Sequence, residues 1–498
     1  MQPLFTTIDC FELISEYKFL AHTWSLYYLT VFTVVLGGSS QFYSFCIVNQ
    51  VQRVIMEWIE TTYEARLDVE LNEVTLHTIW SVIVGSLSIG ALIGAFLVKT
   101  LSEKYGRKNT LLINGVLNVI GAAIVFLAKP FSLPELLVLG RFILGMNIGL
   151  TSGVIPLYLT ELTPARHRAA AGGLHLIAVA FSNAFALFIG LPEILGSVEY
   201  WPFAFGLPGV LALSLCTILP FCPESPKFLL NNRGDSDGTR NVLMKIVGEA
   251  GVDAEFQVLL EETCDEEENH NGHLTDLCKS PDLHFPTLMA VLVMVAVQFS
   301  GLSAVMGYST NMFIKARLDS SLARYATLGV GIMYFLSSCL APFMVERLKR
   351  RSFYLFQRIA SLACLICFTF FTGVQQYEHK EWASYGTITS LVIFMFLYGV
   401  GSPLPWIINL ELFSQKYKSA GMSVSVFTVY GLAFLIMLFY LPFQQLVGVT
   451  FSYLPFITIS TICCILLYKY LPETGDSETK EKPHPIRAST RSFNYRMA

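Results

Sequence analysis

The feature that most constrains this chain is a series of about twelve apolar stretches, separated by shorter polar segments. A bilayer core about 30 Å thick is crossed by a helix of roughly 20 apolar residues, and each stretch is that long. Composition agrees, because only 14% of the residues are charged, whereas soluble domains carry about 25%. The sequence therefore predicts an all-α membrane protein with twelve transmembrane helices. They are expected to begin near Leu26, Val74, Thr110, Leu133, Ala169, Pro202, Pro286, Ala323, Phe353, Tyr385, Lys418 and Phe451.

Several functional classes are excluded by composition and motifs. The net charge of -4 leaves no basic stripe for a nucleic acid. The 11 cysteines are odd in number and lie mostly in apolar runs, so neither a disulfide framework nor a zinc site is expected. The sequence shows no phosphate loop and no arrangement of nucleophile and base, so we expect neither an enzyme nor a bound cofactor.

Polar segments divide the chain into five parts. We expect a tail at 1–25, a six-helix bundle at 26–222, a polar linker at 223–284, a second bundle at 285–470 and a tail at 471–498. Lysines and arginines of short loops mark the cytosolic side, and those of one side are Lys104, Arg107, Lys108, Arg166, Arg168, Arg347, Lys349, Arg350, Arg351, Lys416 and Lys418. Both termini and the linker are therefore predicted to be cytosolic.

The two bundles are related by an internal repeat. Glu161 and Arg168 recur as Glu411 and Lys418, each 250 residues later. The segment Pro223-Glu224-Ser225 recurs as Pro472-Glu473-Thr474 at nearly the same offset. One six-helix unit is thus present twice, as in many secondary transporters.

The repeated charges are candidates for a cytosolic gate. An acid at the end of a membrane helix is costly unless it is paired. Arg107 and Arg168 could hold Glu161, while Arg350 and Lys418 could hold Glu411. Since lysine lacks the bidentate fork of arginine, the second group should be the weaker one. The alternative is that these charges only end the helices at the membrane interface.

The repeated charges belong to a longer series of motifs. In chain order these are Tyr105-Gly106-Arg107-Lys108, Gly140-Arg141-Phe142, Pro156-Leu-Tyr158-Leu-Thr-Glu161, Pro223-Glu224-Ser225-Pro226, Gln298-Phe-Ser300-Gly301, Tyr308-Ser309-Thr310, Val345-Glu346-Arg347, Pro403-Leu-Pro405-Trp406 and Glu411-Leu-Phe-Ser-Gln415. In these motifs the chain resembles the sugar porters of the major facilitator superfamily, most closely the animal facilitative glucose and fructose carriers. The resemblance runs from about residue 26 to 475 and implies a central sugar site between two halves that rock between outward-open and inward-open states. The plasma membrane is the location that the family suggests.

The resemblance also shows where the substrate site departs from the family. Residues that stand where the family has amides or other substrate-binding side chains are Leu176, Val297, Ser303, Tyr334, Tyr398, Tyr430 and Ala433. Because each unpaired polar group costs about 1 to 3 kcal/mol to desolvate, this pocket should bind hexoses weakly or differently. The candidate substrate-binding residues are Gln298, Ser303, Trp406, Asn183, Tyr308 and Tyr430. For Asn183, a hydrogen bond between helices is an equal alternative, and packing is the alternative for Gln298 and Trp406.

The first helix suggests the mode of transport. Proton-driven relatives carry an acid there, but the stretch from Gln41 to Asn49 has none, and His175 is the one titratable group in this part of the core. We expect uniport of a sugar, most simply a hexose, or of a related small polar solute. The alternative is a transport-deficient sensor or interaction protein that retains the fold. The sequence does not indicate an oligomeric state.

Overall fold

The chain is described by a computed structural model over residues 26–68, 71–164, 168–268, 274–378 and 381–473. The predicted tail at 1–25, most of the tail at 471–498, Arg166 and Thr474 lie outside these residues. Within them every assigned element is a helix, and twelve helices are long and apolar enough to cross a membrane. The predicted all-α class with twelve spans is therefore confirmed.

The spans are numbered here in chain order. Their bounds are Leu26–Arg66, Glu73–Tyr105, Arg107–Leu127, Glu135–Leu162, Ala171–Ile189, Trp201–Phe221, Pro281–Lys315, Ser320–Val345, Arg350–Glu378, Trp382–Leu412, Lys418–Val447 and Phe451–Tyr470. Between the sixth and seventh spans, the described part of the linker forms the helices Pro226–Arg233, Ser236–Val247, Val252–Glu268 and Leu274–Lys279. We call the end of the bundle that meets the linker the linker face, and the opposite end the outer end.

Small residues bring the second and fourth spans into backbone contact. A Cβ atom on Gly94 would lie 2.0 Å from the carbonyl oxygen of Met146, and one on Gly149 would lie 2.0 Å from that of Ala91. Helices in lipid gain little from burying apolar surface against each other, so close backbone packing supplies the attraction instead. These glycines therefore hold the interior of the first bundle together.

Three spans are interrupted within the membrane. In the first span a π-helical turn, Val34–Gly38, is followed by a 3-10 turn, Ser39–Phe42. The seventh span breaks between Pro281–Gln298 and Leu302–Lys315, where Gly301 adopts φ +90°. The tenth breaks between Glu381–Gly401 and Leu404–Leu412. Interrupted helices expose backbone groups at membrane depth, and in transporters they line the substrate path.

The interrupted first and seventh spans repeat a sequence signal. The dipeptide Gln41-Phe42 recurs as Gln298-Phe299, 257 residues later, and each copy lies at the break of its span. Gln41 accepts a hydrogen bond from Thr151 at 2.7 Å inside the first bundle, while Gln298 donates to the backbone of the eleventh span inside the second. The internal repeat thus extends from the charged ends to the middle of the spans.

Candidate functional site

The break of the seventh span is stabilised by Gln298. Its amide nitrogen donates to the Val429 carbonyl of the eleventh span at 3.0 Å. Its carbonyl oxygen accepts from the Ser303 hydroxyl, across the break, at 2.6 Å. Both side chains are buried. Two candidate substrate residues are thus adjacent, and a solute would have to compete with these hydrogen bonds to reach either of them.

Trp406 and Asn183 lie on different halves. Trp406 is half-buried on the short helix Leu404–Leu412 that follows the tenth-span break. Asn183 is buried on the fifth span, and its side-chain oxygen has no hydrogen-bond partner among the described residues. That unpaired acceptor favours a ligand or water contact over the alternative of a hydrogen bond between helices.

The two candidate tyrosines differ in accessibility. Tyr308 is fully buried, donates to the Met437 carbonyl at 3.0 Å and stacks on Tyr440 at 5.5 Å between ring centroids. Its hydroxyl is therefore already occupied, which favours a packing role. Tyr430 is half-buried beside Ser152 of the fourth span, so it lies where the two halves meet.

The charged groups of the first half form a compact network at the linker face. Glu161 accepts from the Arg107 guanidinium at 2.8 Å through one oxygen and from the Ser225 hydroxyl through the other. The Glu224 carboxylate accepts the backbone N–H groups of Arg107 and Lys108, each at 3.0 Å. Anions at a helix N-terminus satisfy its free N–H groups and its dipole, so Glu224 caps the third span.

The second half repeats this plan with fewer contacts. Glu411 pairs with Arg350 through one oxygen, while its other oxygen is buried without a hydrogen-bond partner among the described residues. Glu473 accepts the backbone N–H of Arg351 at 3.1 Å and so caps the ninth span as Glu224 caps the third. Among the residues that the structure describes, Lys418 forms no ion pair. Its expected contact with Glu411 is therefore not made here.

Arg168 also has a different partner from the expected one. Its guanidinium pairs with Glu262 of the linker helix Val252–Glu268, and not with Glu161. Lys227 lies 3.6 Å from the same carboxylate. The acidic run of the linker supplies this partner, but a sequence position 94 residues away gives no signal of which acid reaches Arg168.

The outer side of the seventh-span break is joined to the first half by Asn49, which the sequence did not single out. Its amide nitrogen donates to the Met306 carbonyl at 2.9 Å and to the Ser309 hydroxyl at 2.8 Å. Its side-chain oxygen accepts the Thr310 backbone N–H at 2.9 Å. A polar residue within an apolar first span was the available signal.

Inside the second half lies a further polar pair that the sequence reasoning missed, Gln357 and Arg358 of the ninth span. Both are buried, and the Arg358 Nε donates to the Gln357 side-chain oxygen at 2.9 Å. The guanidinium lies 5.9 Å from the ring of Tyr398, which in turn lies 5.9 Å from that of Tyr334. A buried charge within an apolar span is itself a functional signal.

Comparison with known proteins places these features in context. The profile of a family described as sugar (and other) transporter matches residues 30–483. The chain is 32% identical over 447 residues to the chicken facilitated glucose transporter member 1, covering 90% of each protein. It is 33% identical over 411 residues to the rat member 3, covering 82% of each. The inward-open xylose transporter XylE from E. coli aligns with a TM-score of 0.74 at 19% identity, covering 91% of this chain and 98% of that one.

Proposed function

The chain belongs to the sugar transporter family of the major facilitator class, whose members are transporters and not enzymes, and from that premise we propose facilitative uniport. The solute is a sugar, most simply a hexose, or a related small polar molecule. It moves down its own gradient, and its binding biases the exchange between two states of the bundle. The absence of an acid between Gln41 and Asn49 supports uniport over proton coupling.

The observation that carries alternating access is the uneven distribution of the hydrogen bonds and ion pairs described above. Asn49 bridges the halves beyond the seventh-span break, and Gln50 adds a bond to the Arg324 carbonyl at 3.1 Å. At the linker face, in contrast, Arg107–Glu161 and Arg350–Glu411 each join residues of one half. Such an arrangement is expected of a state that is closed at the outer end and can separate at the linker face.

The solute site is proposed to lie at the interrupted spans. Gln298 and Ser303 border one break, and Trp406 follows the other. Asn183 brings an unpaired acceptor from the first half, and Tyr430 lies at the boundary between the halves. Aliphatic and aromatic side chains at 176, 297, 334 and 433 leave few groups for sugar hydroxyls. Glucose uptake should be weak because sugar hydroxyls would lose water without gaining enough hydrogen bonds. Discrimination among hexoses should be modest, as expected of an apolar site.

Radiolabelled uptake into proteoliposomes tests this function. We expect saturable flux for at least one of glucose, fructose and a panel of non-sugar solutes, without dependence on an imposed pH gradient. The double variant Leu176→Gln with Val297→Gln should raise glucose flux at matched protein content, because it restores two hydrogen-bonding groups. High-affinity glucose transport by the parent would refute the prediction that the site has too few hydrogen-bonding groups for glucose. A complete lack of saturable flux would favour the alternative, a transport-deficient sensor or interaction protein that retains the fold.

We also propose that the linker face is cytosolic and that the protein resides in the plasma membrane. The clusters around Arg107 and Arg350 support this orientation, since cytosolic loops are enriched in basic residues. A cysteine at the exposed linker residue Asp237 should be labelled from the cytosolic side, and one at the exposed Glu64 from outside. The opposite labelling pattern would reverse the orientation.

A further inference from the structure

The ninth span carries a buried cation that lacks a carboxylate. Arg358 is 4% exposed. Its Nη1 donates to the Ala296 carbonyl at 3.1 Å, and its Nη2 has no partner among the described residues. Within the same residues, no acid forms an ion pair with it. Buried charges in membrane proteins are expensive and are normally paired, so the missing partner requires an explanation.

Gln357 adds a second free donor beside the first. It is 1% exposed, and its amide nitrogen is also without a partner in the described structure. The Nε and Nη2 atoms of an arginine lie on one edge of the guanidinium, and here Nε binds the Gln357 side-chain oxygen at 2.9 Å. The two unused donors therefore belong to the same corner of the bundle. Donors without an acceptor are what an anion would satisfy.

This corner lies between the two broken spans of the second half. Ala296 is in the last turn of Pro281–Gln298, just before the seventh-span break. Gly401 ends the first segment of the tenth span, and a Cβ atom there would lie 2.7 Å from the Gln357 Cδ. The missing side chain thus makes room for the Gln357 amide. Substrate sites of secondary transporters lie at such interruptions.

The N-terminus of the short helix Leu404–Leu412 adds an electrostatic field that favours an anion. It begins three residues after Gly401, and its N-cap, Pro403, makes no side-chain hydrogen bond. The N-terminus of a half-helix carries partial positive charge and free N–H groups that favour an anion. Together with the two free side-chain donors, this makes the corner electropositive.

A purely structural role accounts for only part of the geometry. The bond from Nη1 to Ala296 caps the C-terminus of Pro281–Gln298, where a cation is favourable. It leaves the Nη2 atom of the guanidinium and the amide nitrogen of Gln357 without an acceptor among the described residues. Tyr398 covers the guanidinium with its ring at 5.9 Å, but a neutral ring does not neutralise the charge.

We propose that Gln357 and Arg358 bind the carboxylate of the transported solute, whose chemical class is a sugar acid such as a hexuronate. The planar guanidinium suits a carboxylate better than it suits a neutral hydroxyl. The sugar ring would then extend toward Tyr398, whose ring lies 5.9 Å from the guanidinium. This inference rests on the proposed transport function and narrows its solute.

Uptake of radiolabelled glucuronate and glucose by the reconstituted full chain tests the proposal. Glucuronate should be taken up with a kcat/KM about tenfold above that of glucose, since charge-assisted hydrogen bonds are about twice as strong as neutral ones. Arg358→Gln should lower glucuronate uptake about tenfold more than it lowers glucose uptake. Arg53→Gln, which removes the exposed arginine that pairs with Glu57, is the matched control for the loss of one positive charge and should leave the ratio unchanged.

A second variant and a binding measurement separate loss of the subsite from loss of folding. Tyr398→Glu places a carboxylate beside Arg358, so it should abolish glucuronate binding while preserving the guanidinium. Thermal stabilisation of the purified chain by glucuronate requires no transport and should vanish in both variants but persist in Arg53→Gln.

Each remaining outcome has a definite meaning. Saturable glucose uptake that glucuronate neither inhibits nor replaces overturns the anion subsite and leaves the transport function standing. Glucuronate binding that depends on Arg358, without uptake of any solute, supports the anion subsite and contradicts the proposed transport function. Stabilisation by inorganic phosphate that equals stabilisation by glucuronate overturns the assignment to a sugar acid.

Discussion

At the linker face, the two halves carry the same repeated charged residues, but the carboxylate of the first half has more partners than that of the second. In the first half, Glu161 has a 7% exposed side chain and uses both carboxylate oxygens, one with Arg107 and one with Ser225. In the second half, the side chain of Glu411 is 19% exposed and that of Arg350 28% exposed, and one oxygen of Glu411 is unpaired. The repeated motif therefore gives each half an ion pair, but the two pairs differ in burial and in the number of contacts.

The linker explains much of the difference. It supplies Ser225 to Glu161 and Glu262 to Arg168, so the first half gains two contacts from a segment that follows it in the chain. Lys418, the counterpart of Arg168, has no such acid among the described residues. We therefore expect the charged cluster around Glu161 to be the more rigid of the two, and the cluster around Glu411 to be the first to lose its contacts.

The largest effect is expected from Glu161→Ala. This variant leaves Arg107, whose side chain is 11% exposed, without its partner. Breaking a buried pair costs about 3 to 5 kcal/mol, so the apparent melting temperature of the purified protein should fall strongly. Glu161→Gln is the milder control. It should still fold, but cysteines near the linker face should become more accessible to labelling reagents, and unchanged accessibility would mean that the pairing is only structural.

A smaller loss is expected from Glu411→Ala. Arg350 is more exposed than Arg107, so water can replace part of the lost contact. The change also removes the buried unpaired oxygen of Glu411, which itself costs stability. We expect a loss of about 1 kcal/mol in the same melting experiment. A loss equal to that of Glu161→Ala would remove the asymmetry between the halves.

The smallest effect is expected from Lys418→Arg. An arginine offers a planar fork of donors where lysine offers one ammonium, so pairing with the free oxygen of Glu411 should give the second half about 0.5 kcal/mol of stability. Lys416→Arg, on the neighbouring turn where Lys416 covers the ring of Tyr417, is the matched control. A gain in Lys418→Arg that vanishes in the Glu411→Ala background would assign it to this contact. A gain that persists there would assign it elsewhere.

Much of the architecture could be predicted from the sequence because it depends on local properties. The twelve apolar runs predict the twelve spans, since a helix satisfies its own backbone hydrogen bonds in lipid. The repeated acids and their basic neighbours predict two charged clusters, and the pairs Arg107–Glu161 and Arg350–Glu411 lie where the spacing placed them. The family motifs likewise lead to the matched family.

The tertiary structure alone decided which distant groups meet. Glu262 reaches Arg168, Asn49 reaches Ser309 and Thr310, and Arg358 reaches the end of a broken helix. Each contact joins segments that are separated in the chain by many residues, and hydrophobic periodicity specifies that a span forms without specifying which face meets which neighbour. Side-chain hydrogen bonds are directional over about 3 Å, so they depend on packing that no single segment encodes.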